Sequence, residues 1–281
     1  MLIHASVLFL DSVYLDAEHY WSLDRLNITL TDTVVMSART SLKGPSSPVF
    51  WRTEVTTKVN DLKSDQQGFA FGRNQVVAGV INESVLTNGQ DAWLKLGDFI
   101  NSCLGEPALC VQGLTVSFWI KYQASDKPIS YFMGTSGTQA GYRGFLVYQD
   151  YRRDTEDHIS IKVENSTFLW ERSFSAPSDT WLHVMFTWDS KEGLSVYRNG
   201  SLVGVSKEGR TTYPISPYFT TLTIGRPNDK YVFCNASFDD IAVWYRKLQP
   251  VEIQSIHDRL IDKPPRDEWE FYEKGKHLFC L

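Results

Sequence analysis

From residue 113 onward, apolar and polar positions alternate in short runs separated by polar or glycine-bearing turns. In GLTVSFWIKY (113–122), Leu114, Val116, Phe118 and Ile120 share one face of a period-two pattern, as a strand with one buried side requires. RGFLVYQ, HISIKVE, TFLWERSF, TWLHVMFTWD and GLSVYRNGSLVGVS repeat the pattern, and Asn199-Gly200 within the last is a two-residue hairpin signal. FTTLTIGRPND then leads to FDDIAVW (238–244), which is apolar nearly throughout and fits a strand buried on both faces. Helical period is absent until Pro250. The spacing of strands and turns predicts an all-β fold, an antiparallel β-sandwich.

The end of that pattern is abrupt. In FDDIAVWYRKLQPVEIQSIH (238–257) a strand gives way to a helix within a few residues. Pro250 suits the first helical position, where its missing N–H has no partner to lose. Glu252 then falls in the first turn, at the positive end of the helix dipole. Leu248, Ile253 and Ile256 are placed to dock the helix on the sheet edge, and Gln249 is a poor N-cap, which predicts a helix of about two turns.

Composition narrows the class. With 281 residues and 42% hydrophobic content, the chain can bury the core of one large all-β domain or two modest ones. The net charge of −5, from 28 basic and 33 acidic residues without a long basic run, argues against nucleic acid or an anionic membrane surface as the main partner. No run approaches the roughly 20 apolar residues that span a bilayer, so no membrane insertion is predicted for this chain.

The compartment is legible in two features. Ten asparagines with 46 serines and threonines give one or two N-x-[ST] sequons by chance, yet five are present, at Asn27, Asn82, Asn165, Asn199 and Asn235. This excess predicts an extracellular glycoprotein. The cysteines agree. Cys103 and Cys110 bracket LGEPAL, whose glycine and proline permit a tight reversal, so a local disulfide is expected there. Zinc would need two further ligands, and the six histidines are scattered singly. Cys234 and Cys280 either pair with each other or stay apart, one in the domain and one in the tail. The start, with an apolar run from Leu2 to Leu10 but no basic residue before it, reads as a degenerate signal or leader over 1–18, or as the first strand of a fragment.

Several motifs occur in the order and spacing of a known family. HYWSLD (19–24), AWLKLGDF (92–99), SCLGEPALC (102–110), GLTVSFWIKY, WLHVMFTWDSKEGLSVYRNGSLV, LTIGRPND and the closing KLQPVEI resemble the concanavalin A-like jelly rolls of laminin-G and pentraxin type. Together they look like the N-terminal pentraxin domain of adhesion G-protein-coupled receptors of subgroup D. The resemblance implies a jelly-roll sandwich over 19–260 with a short C-terminal helix, an inserted loop at about 30–57 and a linker or tail at 261–281. It also implies an extracellular module for adhesion and signalling that binds a protein or glycan ligand; the alternative is a secreted pentraxin-like lectin that binds glycans.

Departures from the family bear on its sites. Pentraxins hold two calcium ions through an Asp-Asn pair and a Glu-Gln-Asp run. Here those positions carry Tyr142-Arg143 and Pro227-Asn228-Asp229, leaving Asn228 and Asp229 as weak calcium candidates against the plainer reading of a turn between strands. The family's core disulfide falls at Ser117 and Met185, so the sandwich must rely on packing around Trp119, Trp181, Trp188 and Trp244. Catalysis has little to stand on. Glu268, Glu270 and Glu273 in EWEFYE alternate like a glycosidase pair but lie beyond Pro264-Pro265, outside the sandwich, and Asp154, Glu156 and Asp157 in RRDTEDH suit a solvated hairpin tip. No G-x-S-x-G, phosphate loop or H-E-x-x-H is present. No enzyme is predicted.

Overall fold

Alternation in the sequence becomes strands in the structure. The computed structural model describes residues 16–23, 33–35, 52–54, 57–80, 83–125, 127–151, 158–216 and 218–261. Ahead of the cysteine loop come β1 (His19–Trp21), β2 (Thr33–Val35), β3 (Arg52–Glu54), β4 (Thr57–Asn60), β5 (Gln67–Phe71), β6 (Gln75–Ala78), β7 (Glu83–Asn88) and β8 (Trp93–Asp98). After it come β9 (Leu114–Tyr122), β10 (Ile129–Gly134), β11 (Gly144–Asp150), β12 (His158–Glu164), β13 (Phe168–Ser175) and β14 (Leu182–Asp189). The chain continues through β15 (Gly193–Arg198), β16 (Ser201–Ser206), β17 (Arg210–Thr211), β18 (Thr221–Ile224) and β19 (Asn235–Trp244) to helix α1 (Pro250–Ile261).

Two antiparallel sheets face each other. One runs β16-β15-β14-β9-β19-β7-β6, with β1 also paired to β19; the other runs β17-β13-β12-β11-β10-β18-β8-β5-β4. Leu114, Val116, Phe118 and Ile120 of β9 meet Phe145 and Val147 of β11 and Ile159, Ile161 and Val163 of β12 in a shared apolar core. The face read from period two is the one turned to the core between the sheets; the opposite face of β9, with Thr115, Ser117 and Trp119, is buried as well, so the strand has two buried sides and not one. Asn199 and Gly200 both take positive φ, at 49° and 75°, as a two-residue hairpin between twisted strands requires.

Two expectations about the C-terminal junction need correction. Helix α1 has 12 residues, more than the two turns expected. Gln249 caps poorly through its own side chain, but the Glu252 carboxylate reaches back to the Gln249 N–H at 2.7 Å, the returning half of a capping box. The helix also lies across the outer face of the eight-stranded sheet, not on its edge. Leu248, Ile253 and Ile256 pack there with Trp119, Met185, Tyr197 and Trp244, forming a second apolar layer. Ala17 joins the same layer, and the Glu18 N–H bonds the Val243 carbonyl at 2.9 Å. Within the stretch expected as an inserted loop, β2 and β3 pair antiparallel, Thr33 opposite Glu54.

The aspartates of FDDIAVW explain themselves in the fold. Register between β19 and β9 shifts between Asp239 and Ala242, a bulge, and Asp240 takes a left-handed φ of 45°. The bulge frees two buried carboxylates for use. Asp240 accepts from the Tyr20 hydroxyl at 2.6 Å, and Asp239 accepts the Val80 N–H at 2.9 Å. A strand read as continuously apolar therefore carries two polar ties to neighbouring segments.

Candidate functional site

The outer face of the nine-stranded sheet carries a column of stacked flat groups. Ala70 and Leu94 point into the core, so their neighbours Phe71 and Trp93, paired across β5 and β8, point outward. Their rings stack at 4.3 Å with planes 11° apart. Arg226, just beyond β18, lays its guanidinium 4.0 Å from the Trp93 ring centre and 4.6 Å from that of Tyr231. The order is Phe71, Trp93, Arg226, Tyr231, and both outer rings are exposed, Tyr231 to 79%.

Arg226 is itself only 9% exposed, yet it faces no carboxylate among the described residues. Its Nε is shut from solvent without a partner, and Nη1 reaches only the Pro227 and Lys230 carbonyls, at 3.5 and 3.4 Å. Burial lowers its pKa from the ordinary guanidinium value, opposed by Tyr231. The group stays charged all the same, because arginine does not deprotonate in proteins. Stacking between two rings offsets part of the cost of burying that charge.

Tyr231 also lines a cleft of about 520 Å³, together with Lys127, Ile129, Tyr131, Lys230 and Phe233. The Lys127 ammonium donates to the Gly89 and Phe233 carbonyls at 2.8 and 2.7 Å, tying itself to two neighbouring segments. Lys230 is exposed. Val232 and Ile129 continue inward to an apolar patch of Tyr131, Leu146 and Tyr148. No carboxylate lines this cleft among the described residues. An adjoining cavity of about 210 Å³ shares Ile129, Tyr131 and Lys230 and adds Asp150 and Lys162. Rings and ammonium groups of this kind can hold a ligand.

The residues singled out from sequence fall in different places. Cys103 and Cys110 are bonded, with Cα atoms 4.7 Å apart, and the bridge closes the loop that feeds β9. Cys234 is a buried free thiol, its pKa pushed up to about 12 by burial, while Cys280 lies outside the described residues. Asn228 and Asp229 act as loop fasteners. The Asn228 amide donates to the Thr135 and Thr221 carbonyls at 3.1 and 2.8 Å. Both Asp229 oxygens accept from Thr138, at 3.0 Å from its N–H and 2.7 Å from its hydroxyl, so a cation there competes with those bonds. At the other position of the family's calcium pair, Arg143 is engaged with Glu106. A guanidinium cannot ligate calcium, and the residues fit a two-ion site poorly.

Of the sequons, Asn165 and Asn235 are half-buried and Asn199 is exposed; Asn27 and Asn82 lie outside the described residues. So do Glu268, Glu270 and Glu273, and Asp154, Glu156 and Asp157.

Two buried polar clusters resemble catalytic groupings but serve the fold. His19 Nδ1 lies 2.6 Å from Asp61, which also accepts the Ser64 hydroxyl at 2.6 Å and the Tyr20 N–H at 2.9 Å. Burial pushes the Asp61 carboxyl up, but the hydrogen bonds from His19 and Ser64 outweigh it and hold it below the usual value. The cluster fastens β1 to the turn after β4. On the other sheet, Ser117 Oγ lies 2.8 Å from His183 Nε2, and the His183 ring stacks on His257 at 5.3 Å beneath α1. His183 is 1% exposed, so no substrate reaches it.

Trp93, Arg226 and Tyr231 were not singled out from sequence. Arg226 immediately precedes the residues read for calcium, and an arginine after a buried strand was the available signal. Nothing in the linear pattern joins it to Trp93, which arrives from β8.

Comparison with known proteins agrees with this architecture. Residues 88–254 match the family model of the concanavalin A-like lectin/glucanases superfamily, of laminin-G type. The chain is 30% identical over 223 residues to human adhesion G-protein coupled receptor D1, covering 78% of this chain and 24% of that receptor. It is 33% identical over 190 residues to the bovine receptor of the same name, covering 63% and 19%. The chain thus spans about a quarter or less of the length of these relatives. Among solved structures, the binding domain of Paraclostridial Mosquitocidal Protein 1 shares the fold with a TM-score of 0.55, at 14% identity over 71% of this chain and 49% of that one. The family match covers more than half of the chain and falls on the two facing sheets, so this protein belongs to the concanavalin A-like lectin/glucanases superfamily.

Proposed function

We propose that this chain is an extracellular ligand-binding and adhesion module, part of the N-terminal ectodomain of an adhesion G-protein-coupled receptor, and that it has no catalytic activity of its own. The observation that carries the reading is the 223-residue match to the human receptor, which takes in most of the sandwich at 30% identity. The five sequons and the Cys103–Cys110 bridge suit an oxidising, glycosylating compartment. A cleft walled by rings and ammonium groups suits recognition, and among the described residues no paired carboxylates of the kind glycan hydrolysis uses line it.

The test is where the native protein resides. An antibody raised against residues 113–254 is applied to intact expressing cells and to their medium. The expected result is surface staining, with the epitope on a polypeptide whose tryptic peptides include seven hydrophobic spans. An epitope found only on a free secreted species overturns the receptor reading and favours a soluble lectin.

A further inference from the structure

An edge strand presents N–H and C=O groups that pair readily with another chain, and folded proteins guard such edges with charge, proline, bulges or a covering segment. Most edges of the two facing sheets are guarded here. β4 carries Lys58, and β17 is two residues long with Arg210. β16 has a register shift against β15, and Arg172 from the other sheet packs into the space that Gly204 leaves open. β1 has its Tyr20 N–H and carbonyl taken by Asp61 and Leu62, at 2.9 and 2.8 Å. The exception is β6. Among the described residues it pairs with β7 alone, and its sequence QVVA holds no charge and no proline. Its pairing shows no register shift, and Gln75, Val76 and Ala78 are exposed.

The core is unfinished at the same strand. Val76 lies opposite Val85, a fully buried core residue, and directly opposed residues share a face of the sheet. Val76 therefore points to the space between the sheets, yet it is 45% exposed. One more strand beside β6 closes that margin. The margin is also held in place. The Asn74 amide donates to the Phe71 carbonyl at 2.7 Å just before β6, and Asp239 accepts the Val80 N–H at 2.9 Å just after it. An edge fixed at both ends loses little freedom on pairing.

A second copy of this chain suits the margin. Pairing β6 antiparallel with its twin, about a twofold axis normal to the sheet, keeps both inner faces on the same side and sets each residue opposite one of its own parity. Centred on Val76, the pairing lays Val76 on Val76, with Gln75 against Val77 and Asn74 against Ala78. No like charges meet along the strand, although the chain carries −5. Arg73 of each copy, exposed beside Asp91, comes next to the Glu83 that flanks Ala78 of the other, so opposite charges approach twice. We propose that β6 is a self-association edge, through which two copies pair antiparallel, Val76 on Val76, into one sheet running through both. A strand of 4 residues buries less surface than a stable complex needs, so the dimer is weak and depends on high local concentration. The pairing does not depend on the receptor reading.

Sedimentation of the whole chain over a concentration series should show a monomer–dimer equilibrium. Val76→Lys sets two ammonium groups against each other on the twofold axis and should weaken association at least roughly tenfold. Leu202→Lys, at an exposed position on the guarded edge of β16, should leave it unchanged. Register is read by cross-linking in a Cys280→Ser background, so that the tail thiol takes no part. Opposed residues of an antiparallel pair have Cα atoms about 4.5–5.5 Å apart, within disulfide reach. Val76→Cys, oxidised with glutathione disulfide, should therefore give a covalent dimer, and Val77→Cys, two positions off register, should not. The cysteine variants carry the test if Val76→Lys fails to fold. The pairing is overturned if the chain sediments as a monomer throughout, or if a folded Val76→Lys variant associates like the parent. It is equally overturned if Leu202→Lys dissociates the dimer or if Val77→Cys links as fully as Val76→Cys. None of these outcomes touches the test of where the protein resides.

Discussion

His183 shows what a single side chain costs and controls in this fold. It sits fully enclosed beneath α1, against Ser117, Trp119 and His257, and its pKa is lowered to about 3, first by burial and then by His257. The unfolded chain gives this imidazole its ordinary value near 6.5. Between those values the unfolded state takes up a proton that the folded state refuses, so stability is complete above about pH 6.5 and falls as the pH drops. The fall is roughly 1.4 kcal/mol per pH unit for one such group. The buried carboxylates held low, such as Asp61, lose their contribution only below their unfolded value of 3.8. Glu252, also held low, begins to lose its contribution near its unfolded value of 4.5, so the interval from pH 6 to about 5.5 is the one that isolates the histidines. Urea unfolding across it should show the decline in the parent protein, and His183→Gln should remove about 1.4 kcal/mol per pH unit from the slope. An unchanged slope in that variant contradicts a neutral, enclosed His183.

At the scale of elements, legibility followed the chain's own contrast. β9, β11, β12 and β14 were readable because each alternates large apolar residues against a packed sheet. The strands before residue 100 were not. QGFAF, QVVA and ESVLTN are short, with much of their surface half-buried or exposed; β6 pairs only with its neighbour β7, while β7 and β5 are completed by strands further along the chain, β19 and β8. The helix was visible, but its length was not, because the capping group is Glu252 inside the helix and not the residue before it. Arg246 holds that carboxylate, at 2.9 Å to Oε1, and so ties the helix start to the end of β19. The cysteine loop was legible from spacing, and its role follows from position. The Cys103–Cys110 bridge closes a loop with a separation of 7 residues at the entry to β9, the strand that joins β14 to β19. Replacing both cysteines by serine should lower stability by roughly 2–3 kcal/mol and leave the fold intact, since Cys103 is one member of a large core built by both sheets. Chemical denaturation with matched m-values checks this; a collapse of the m-value means the bridge holds far more than its loop.

For the whole molecule, the sandwich was written in periodicity, whereas the candidate site was not. Arg226 and Trp93 meet because β18 pairs with β8, a pairing between segments more than a hundred positions apart. A stacked column of this kind exists only after both sheets close. The sequons are the opposite case, local in sequence and global in consequence. Asn165 uses its carbonyl oxygen to accept the Thr167 and Phe168 N–H groups, each at 2.8 Å, and Asn199 uses its own to accept the His183 N–H at 2.9 Å. In both, the amide nitrogen that would carry a glycan is left for the solvent side of a hairpin turn. Asn235 instead spends that nitrogen on Gln123, at 2.6 Å. Expression in a secretory host should therefore yield a glycoprotein whose apparent mass falls in several steps under a glycan-removing amidase. Peptide mapping in heavy-oxygen water should find occupancy at Asn165 and Asn199 higher than at Asn235. Equal occupancy at all three means the folded hydrogen bonds do not govern acceptor choice. No mass change under the amidase removes the extracellular assignment, and with it the adhesion role proposed for the molecule.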